Sequence, residues 1–325
     1  MNKDFLIDFY VKYLNLVDKL LPVGGFVRRL PYVLVFKTTN YCWYNCLHCC
    51  ENSGPDQAKY YIPAPVIKSY ISQALTDPTF SKNVVFTGGE IMSSYRFGDK
   101  NYVPELLTFC QKNGVGVNIK TNAAWVNAGF GKKIFDDLSE VISNGKPYSL
   151  QISVSLDNYH KNSLKNCIGF IKGLHKRDNM HAIVHLSSFD KDKYLYTELC
   201  NGLRKEGIKL NQAIFSDGRI LDVAGDKLIL VASSAVLFNG GRAVQLEEAQ
   251  KTTFSQFSFL SPNKQVLMAF DSFGCVTLGE NSGRKINTKW KHNEEEIYSL
   301  AHIKQNLISS AHFEEIRARL FYKWR

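Results

Sequence analysis

The chain has 325 residues, 45% of them apolar and 22% charged, which suits a soluble globular protein with one large core or a core domain plus a smaller appendage. No run of about eighteen apolar residues occurs, so nothing reads as a membrane span. The formal charge of +10 is scattered over sites such as Arg28-Arg29, Lys132-Lys133, the trio Lys285, Lys289 and Lys291, and the pair Arg317 and Arg319. Such a surface could attract an acidic peptide, a nucleotide or nucleic acid, but without an arginine-rich block it reads as solvated surface, and nucleic acid is not the expected partner. Eight cysteines are too sparse for a disulfide framework, and the first residues lack the pattern of a cleaved leader. The expected compartment is the reducing cytoplasm.

Asp4–Leu21 reads as a helix with Leu6, Phe9, Tyr10, Tyr13, Leu14 and Val17 on a broad apolar face. Asp4, Asp8 and Asp18 dilute any basic face, which favours packing on the core over lying in a membrane surface. From about residue 32, short β-rich runs alternate with helical stretches, the pattern of a parallel sheet with crossover helices. The candidate strands are Val33–Thr38, Val84–Thr87, Val115–Thr121, Ser149–Ser155, Ala182–Leu186 and Leu210–Phe215. Between them, helical spacing links Ile67, Tyr70, Ile71 and Leu75, then Val103, Leu106, Leu107 and Cys110, then Leu164, Cys167, Ile168, Ile171 and Leu174. Beyond Gly218 the region is mixed, with strands near Leu228–Val231, Gln265–Phe270 and Cys275–Leu278 and helices over Glu294–Ile303 and Ser310–Phe321. The expected units are therefore 1–31, 32–217 and 218–325.

The first candidate strand runs into Cys42, Cys46 and Cys49, a Cys-x3-Cys-x2-Cys triplet. Three thiolates from one short loop can hold three irons of a 4Fe–4S cluster, leaving the fourth iron open to an exogenous ligand. Zinc is the alternative, with these cysteines joined by His48 or Cys50. Zinc sites draw on separated pairs, and the chain has no second Cys-x2-Cys. His181 and His185 sit on a candidate strand, where four residues separate them by about 13 Å, too far to share a metal. The spacing already uses its neighbours, so Cys50 reads as non-ligating. The second strand ends in Gly88-Gly89-Glu90.

The triplet and the Gly-Gly-Glu turn, in this order, resemble the signature of the radical S-adenosylmethionine superfamily. The resemblance spans roughly residues 32–215 and implies a partial (β/α)6 barrel, within an α/β fold that carries an N-terminal helix and a small mixed C-terminal region. It also implies a 4Fe–4S cluster on Cys42, Cys46 and Cys49, with S-adenosylmethionine on the open iron. Gly88, Gly89 and Glu90 would meet the methionine amino group, and the backbone of His48 would help position adenine. Asn122 and Ser155, at the ends of the third and fourth strands, are further candidates for cofactor contact. Asp157 could instead cap the following helix, while His185 and Ser187 close the fifth strand and face either ligand or core. An electron donor such as a flavodoxin or ferredoxin belongs to the same implication.

Shorter strings look like the radical peptide epimerases: His48-Cys49-Cys50 followed by Ser53-Gly54-Pro55, then Phe86-Thr87-Gly88-Gly89-Glu90-Ile91, then Asn122-Ala123-Ala124-Trp125. The implied substrate is a peptide, with a small molecule such as a sugar or nucleotide as the alternative. Only Cys275 lies beyond residue 200, so the cysteine-rich tail that holds auxiliary clusters in many relatives is absent from this sequence. Inversion at a Cα would need a hydrogen-atom donor facing the deoxyadenosyl group. Cys275 is the candidate for that catalytic role, against an alternative as a small buried hydrophobe. Cys110, Cys167 and Cys200 read as packing residues.

Overall fold

A computed structural model describes residues 32–97, 99–144, 149–178, 180–214, 220–224, 228–234, 241–246, 266–273, 275–278, 286–287 and 298–308. The expected helices at 4–21 and 310–321 lie outside them. Among the described residues no helix is long and apolar enough to cross a membrane.

The described residues begin with β1 (Tyr32–Thr39), buried at all eight positions, as an apolar strand covered on both faces must be. It then alternates α1 (Ala64–Thr76), β2 (Phe80–Gly88), α2 (Tyr102–Lys112), β3 (Gly116–Thr121), α3 (Gly131–Ser143), β4 (Leu150–Ser155), α4 (Ser163–His175), β5 (Ala182–Ser188) and α5 (Tyr194–Lys205). Pro63 and Pro65 open α1, where a missing N–H costs nothing. Gly114, at φ +66°, turns the chain out of α2. The helix α3 lay outside the periodicities named above, although Ile134, Phe135, Leu138 and Ile142 give it a buried stripe. Strands β1 to β5 pair in parallel and in chain order.

The sixth parallel position differs from the sequence reading. It is filled by β8 (Leu228–Ser234), which pairs in parallel with β5, and not by β6 (Leu210–Ile214). Strands β6 and β7 (Ile220–Ala224) turn back antiparallel beyond it, so β6 becomes an edge. Composition explains the exchange: β8 begins Leu-Ile-Leu-Val, suited to a buried parallel strand, whereas β6 carries Asn211 and Gln212. One sheet thus draws strands from both sides of residue 217. On its other flank β9 (Val266–Phe270) pairs in parallel with β1, followed antiparallel by β10 (Cys275–Leu278) and β11 (Ile286–Asn287). The helix expected over 294–303 is α6 (Leu300–Ile308), with Leu300 and Ile303 in the core.

The two faces of this sheet differ. Leu34, Phe36, Phe86, Ile119, Ile152, Val154, Val184 and Leu230 share one core with the buried stripes of the helices. Alternate positions carry Lys37, Thr87, Asn118, Lys120, Gln151, Ser153, Ser155, His185 and Ser187, a polar row that the strand registers align. Laid flat, β1 and β8 would stand roughly 24 Å apart at five strand spacings. Yet segments following β2, β3, β4, β5 and β8 all touch Tyr41–Cys49, the stretch just after β1. The sheet must therefore curl, helices outside and polar row inside, as a partial barrel with its loops gathered at one mouth.

Candidate iron-sulfur and cofactor site

The cysteine loop leaves β1 at the C-terminal mouth, where parallel barrels carry their chemistry. Short ties fold it: Cys42 N donates to Gly54 O at 3.1 Å, Gly54 N to Asn40 O at 3.3 Å, and Cys49 N to Cys46 O at 3.2 Å. The last of these is a tight turn that keeps Cys46 and Cys49 on neighbouring positions. Cys42 and Cys46 are buried, while Cys49 and Cys50 are half-buried. Burial pushes the Cys42 thiol up to about 12, and the nearby Glu90, Cys46 and Cys49 push in the same direction. Three anionic sulfurs would not persist there alone, so the donor set fits a soft cation or cluster that removes the protons as it binds. Asn122 Nδ2 already donates to Cys42 Sγ at 3.3 Å, a contact that favours thiolate character.

Gly88-Gly89-Glu90 lies directly beneath this loop. Gly89 N donates to Thr39 O at 2.7 Å and Glu90 N to Tyr41 O at 2.8 Å. A Cβ on Gly89 would come within 2.0 Å of Tyr41 O, and Gly88 sits at φ +111° with Thr39 O 2.5 Å from any Cβ. Both positions require glycine because backbone meets backbone there. Glu90 is fully buried; Oε1 accepts from Met92 N at 3.2 Å, and Oε2 accepts from Thr121 Oγ1 at 2.8 Å and Asn122 N at 3.0 Å. Burial raises its pKa to about 7, against the pull of those donors. The carboxylate thus braces the end of β3, which in turn aims Asn122 at Cys42.

The His48 ring packs against Tyr159, His160 and Phe189, at centroid distances of 4.8, 4.6 and 5.7 Å. Burial lowers its pKa to about 4, with His160 adding to the effect, and Nδ1 has no protein partner. Asp157 does not cap the helix after β4. Its carboxylate accepts from Tyr159 N and His160 N at 2.9 Å and pairs with His160 Nδ1 at 2.9 Å. Burial alone would depress His160, but Asp157 and the adjacent Cys46 hold it up at about 10. Ser155 is half-buried on the polar row, opposite Ser187 in the register, and His185 pairs with Ser153. Cys275 opens β10 at the mouth end of the sheet, two strands out from β1, half-buried, with its N–H on Asp271 Oδ1 at 2.9 Å.

Two residues were missed from sequence. His160 follows Asp157 by three positions at a strand end, a spacing that could have been noticed. Arg242, whose Nε donates to Cys46 O at 2.9 Å, is separated from that residue by 196 positions and carries no local signal beyond the preceding Gly240-Gly241.

No family model matches the chain, and no curated protein does. Among solved structures it is similar to Streptococcus suis SuiB bound to S-adenosylmethionine, at 14% identity and a TM-score of 0.44, over 89% of this chain and 68% of that one. It is similar to anSMEcpe with bound AdoMet at 12% identity and a TM-score of 0.46, over 88% and 79% of the two chains. BtrN in complex with AdoMet and 2-DOIA gives 12% identity and a TM-score of 0.39, over 89% and 86%. At these values the likeness is distant, and the residues of the site carry the reading that follows.

Proposed function

We propose that this chain is a radical S-adenosylmethionine enzyme, with Cys42, Cys46 and Cys49 holding a 4Fe–4S cluster. The observation that supports it most is the placement of the three thiols. They come from one loop, Cys42 and Cys46 buried and Cys49 half-buried, and sit over a Gly-Gly-Glu turn at the mouth of a curled parallel sheet. Held there, such a cluster would supply the one electron for reductive cleavage of S-adenosylmethionine to methionine and a 5′-deoxyadenosyl radical able to take hydrogen from substrate.

The chain's own residues would then bind and orient. Gly88, Gly89 and Glu90 are proposed to meet the methionine amino group, His48 with its aromatic neighbours the adenine, and Asn122 and Ser155 the remaining polar groups of the cofactor. The polar row of Lys120, Gln151, Ser153, His185 and Ser187 would line the substrate space. The strings His48-Cys49-Cys50, Phe86–Ile91 and Asn122–Trp125 favour a peptide substrate. A cytoplasmic setting and a small redox protein as electron source complete the proposal.

Anaerobic reconstitution tests it. About four irons per chain with a broad charge-transfer band, and release of 5′-deoxyadenosine on reduction with S-adenosylmethionine, are expected. Alanine at Cys42, Cys46 or Cys49 should abolish both, whereas Cys50→Ala should keep both. Tetrahedral zinc in place of iron would overturn the reading.

A further inference from the structure

Arg242 belongs to a short 3-10 turn, Gly241–Gln245, that follows β8. Three carbonyls of the cysteine loop converge on this one residue. Its Nε donates to Cys46 O at 2.9 Å, its own backbone N–H donates to Cys49 O at 2.9 Å, and Nη2 donates to Ser53 O. The preceding Gly241 sits at φ +54°, and a Cβ there would stand 2.6 Å from Cys49 O and from Cys50 O. The turn therefore lies with its backbone directly on the loop. This stretch between β1 and α1 forms no helix or strand of its own; Glu90 N on Tyr41 O, Asn122 on Cys42 and the Lys37–Glu51 ion pair anchor parts of it, while the backbone bonds within it over 40–54 are near 3.1–3.3 Å. A guanidinium is charged at all working pH, and its planar fork fixes direction as well as distance.

We infer that Arg242 is a positioning residue for the thiol trio. Side chain and backbone together hold the peptide at Cys46 and Cys49, so that both thiols keep their spacing to Cys42. The same guanidinium sets a positive charge on the backbone carbonyls of Cys46 and Ser53, in the loop whose thiols would become anionic on loading. Holding the loop does not depend on which metal is bound; the electrostatic consequence rests on the cluster reading above.

The test compares the full-length wild type with Arg242→Gln and Arg242→Lys. On anaerobically reconstituted protein it reads the midpoint potential of the cluster and the rate of iron removal by a chelator. On metal-free protein it reads iodoacetamide alkylation of individual cysteines by mass spectrometry. Arg242→Gln should release iron, and expose Cys46 and Cys49 to alkylation, about tenfold faster than wild type, as expected for losing two charge-assisted hydrogen bonds that close a loop. Its midpoint potential should fall, because removing a positive charge disfavours the more reduced state. Arg242→Lys keeps the charge but not the fork, so its potential should stay near wild type while alkylation still rises. Unchanged alkylation and potential in Arg242→Gln would overturn the inference. So would an equal rise at Cys110, buried on α2, in both variants, since that marks general loosening. If the wild type takes up no iron, the cofactor reading fails, and the alkylation comparison alone still decides whether Arg242 positions the thiols.

Discussion

Glu90 is a carboxyl with no exposed surface and three donors on its two oxygens, and its raised pKa makes it a lever on stability. Burial lifts it from 4.5 to about 7, so the folded chain holds a proton that the unfolded chain releases over that interval. Stability of the metal-free protein should therefore be greatest below about pH 4.5 as far as this group is concerned, and should decline as pH rises through 7. The upper limit is about 3 kcal/mol for a shift of this size. Urea midpoints measured at intervals across that range should show the decline, and Glu90→Gln should flatten it. An equal slope in both proteins would mean that Glu90 binds its proton alike in the folded and unfolded chain. The Gly-Gly-Glu string was legible as a turn at the end of β2. Its partners were not, because Thr121 and Asn122 lie 31 and 32 residues away and meet it only once β2 and β3 pair.

Each mouth element is held by backbone contacts that side-chain patterns do not announce. The end of β2 fits under the cysteine loop only because Gly88 and Gly89 lack a Cβ, so Gly89→Ala must displace Tyr41 and with it Cys42. An overpacked backbone contact of this kind should cost on the order of 3 kcal/mol, and the variant should retain little iron after reconstitution. Iron content and cofactor cleavage equal to wild type would show that the loop can yield. Strand periodicity revealed β1 to β5, since that signal is local. The choice of β8 over β6 as the sixth parallel strand was hidden. Alternation and length describe both segments equally, and the decision is made by which apolar run can be buried beside β5. Arg242 stayed hidden for a related reason: nothing local marks a contact across 196 residues.

At the scale of the whole chain, the sheet does not stop at β1. Strands β9, β10 and β11 extend it on the flank opposite β8, and the turn joining β9 to β10 lies at the same end as the cysteine loop, because Phe270 pairs with both Phe36 and Val276. This puts Cys275 at the mouth, on a different side from the segments after β4 and β5 that surround His48. A hydrogen-atom donor for inversion must approach the substrate carbon from the face away from the deoxyadenosyl group. Cys275 is the cysteine outside the 42–50 loop that lies at the mouth, whereas Cys110, Cys167 and Cys200 are buried on α2, α4 and α5. If the proposed enzyme epimerises a peptide with this thiol, product formed in deuterated water should carry one solvent deuterium at the inverted carbon, since an S–H exchanges with solvent. Cys275→Ala should still form 5′-deoxyadenosine yet lose inversion. Normal inversion in that variant, or product without solvent deuterium, would remove Cys275 from the chemistry and leave it as a half-buried strand residue.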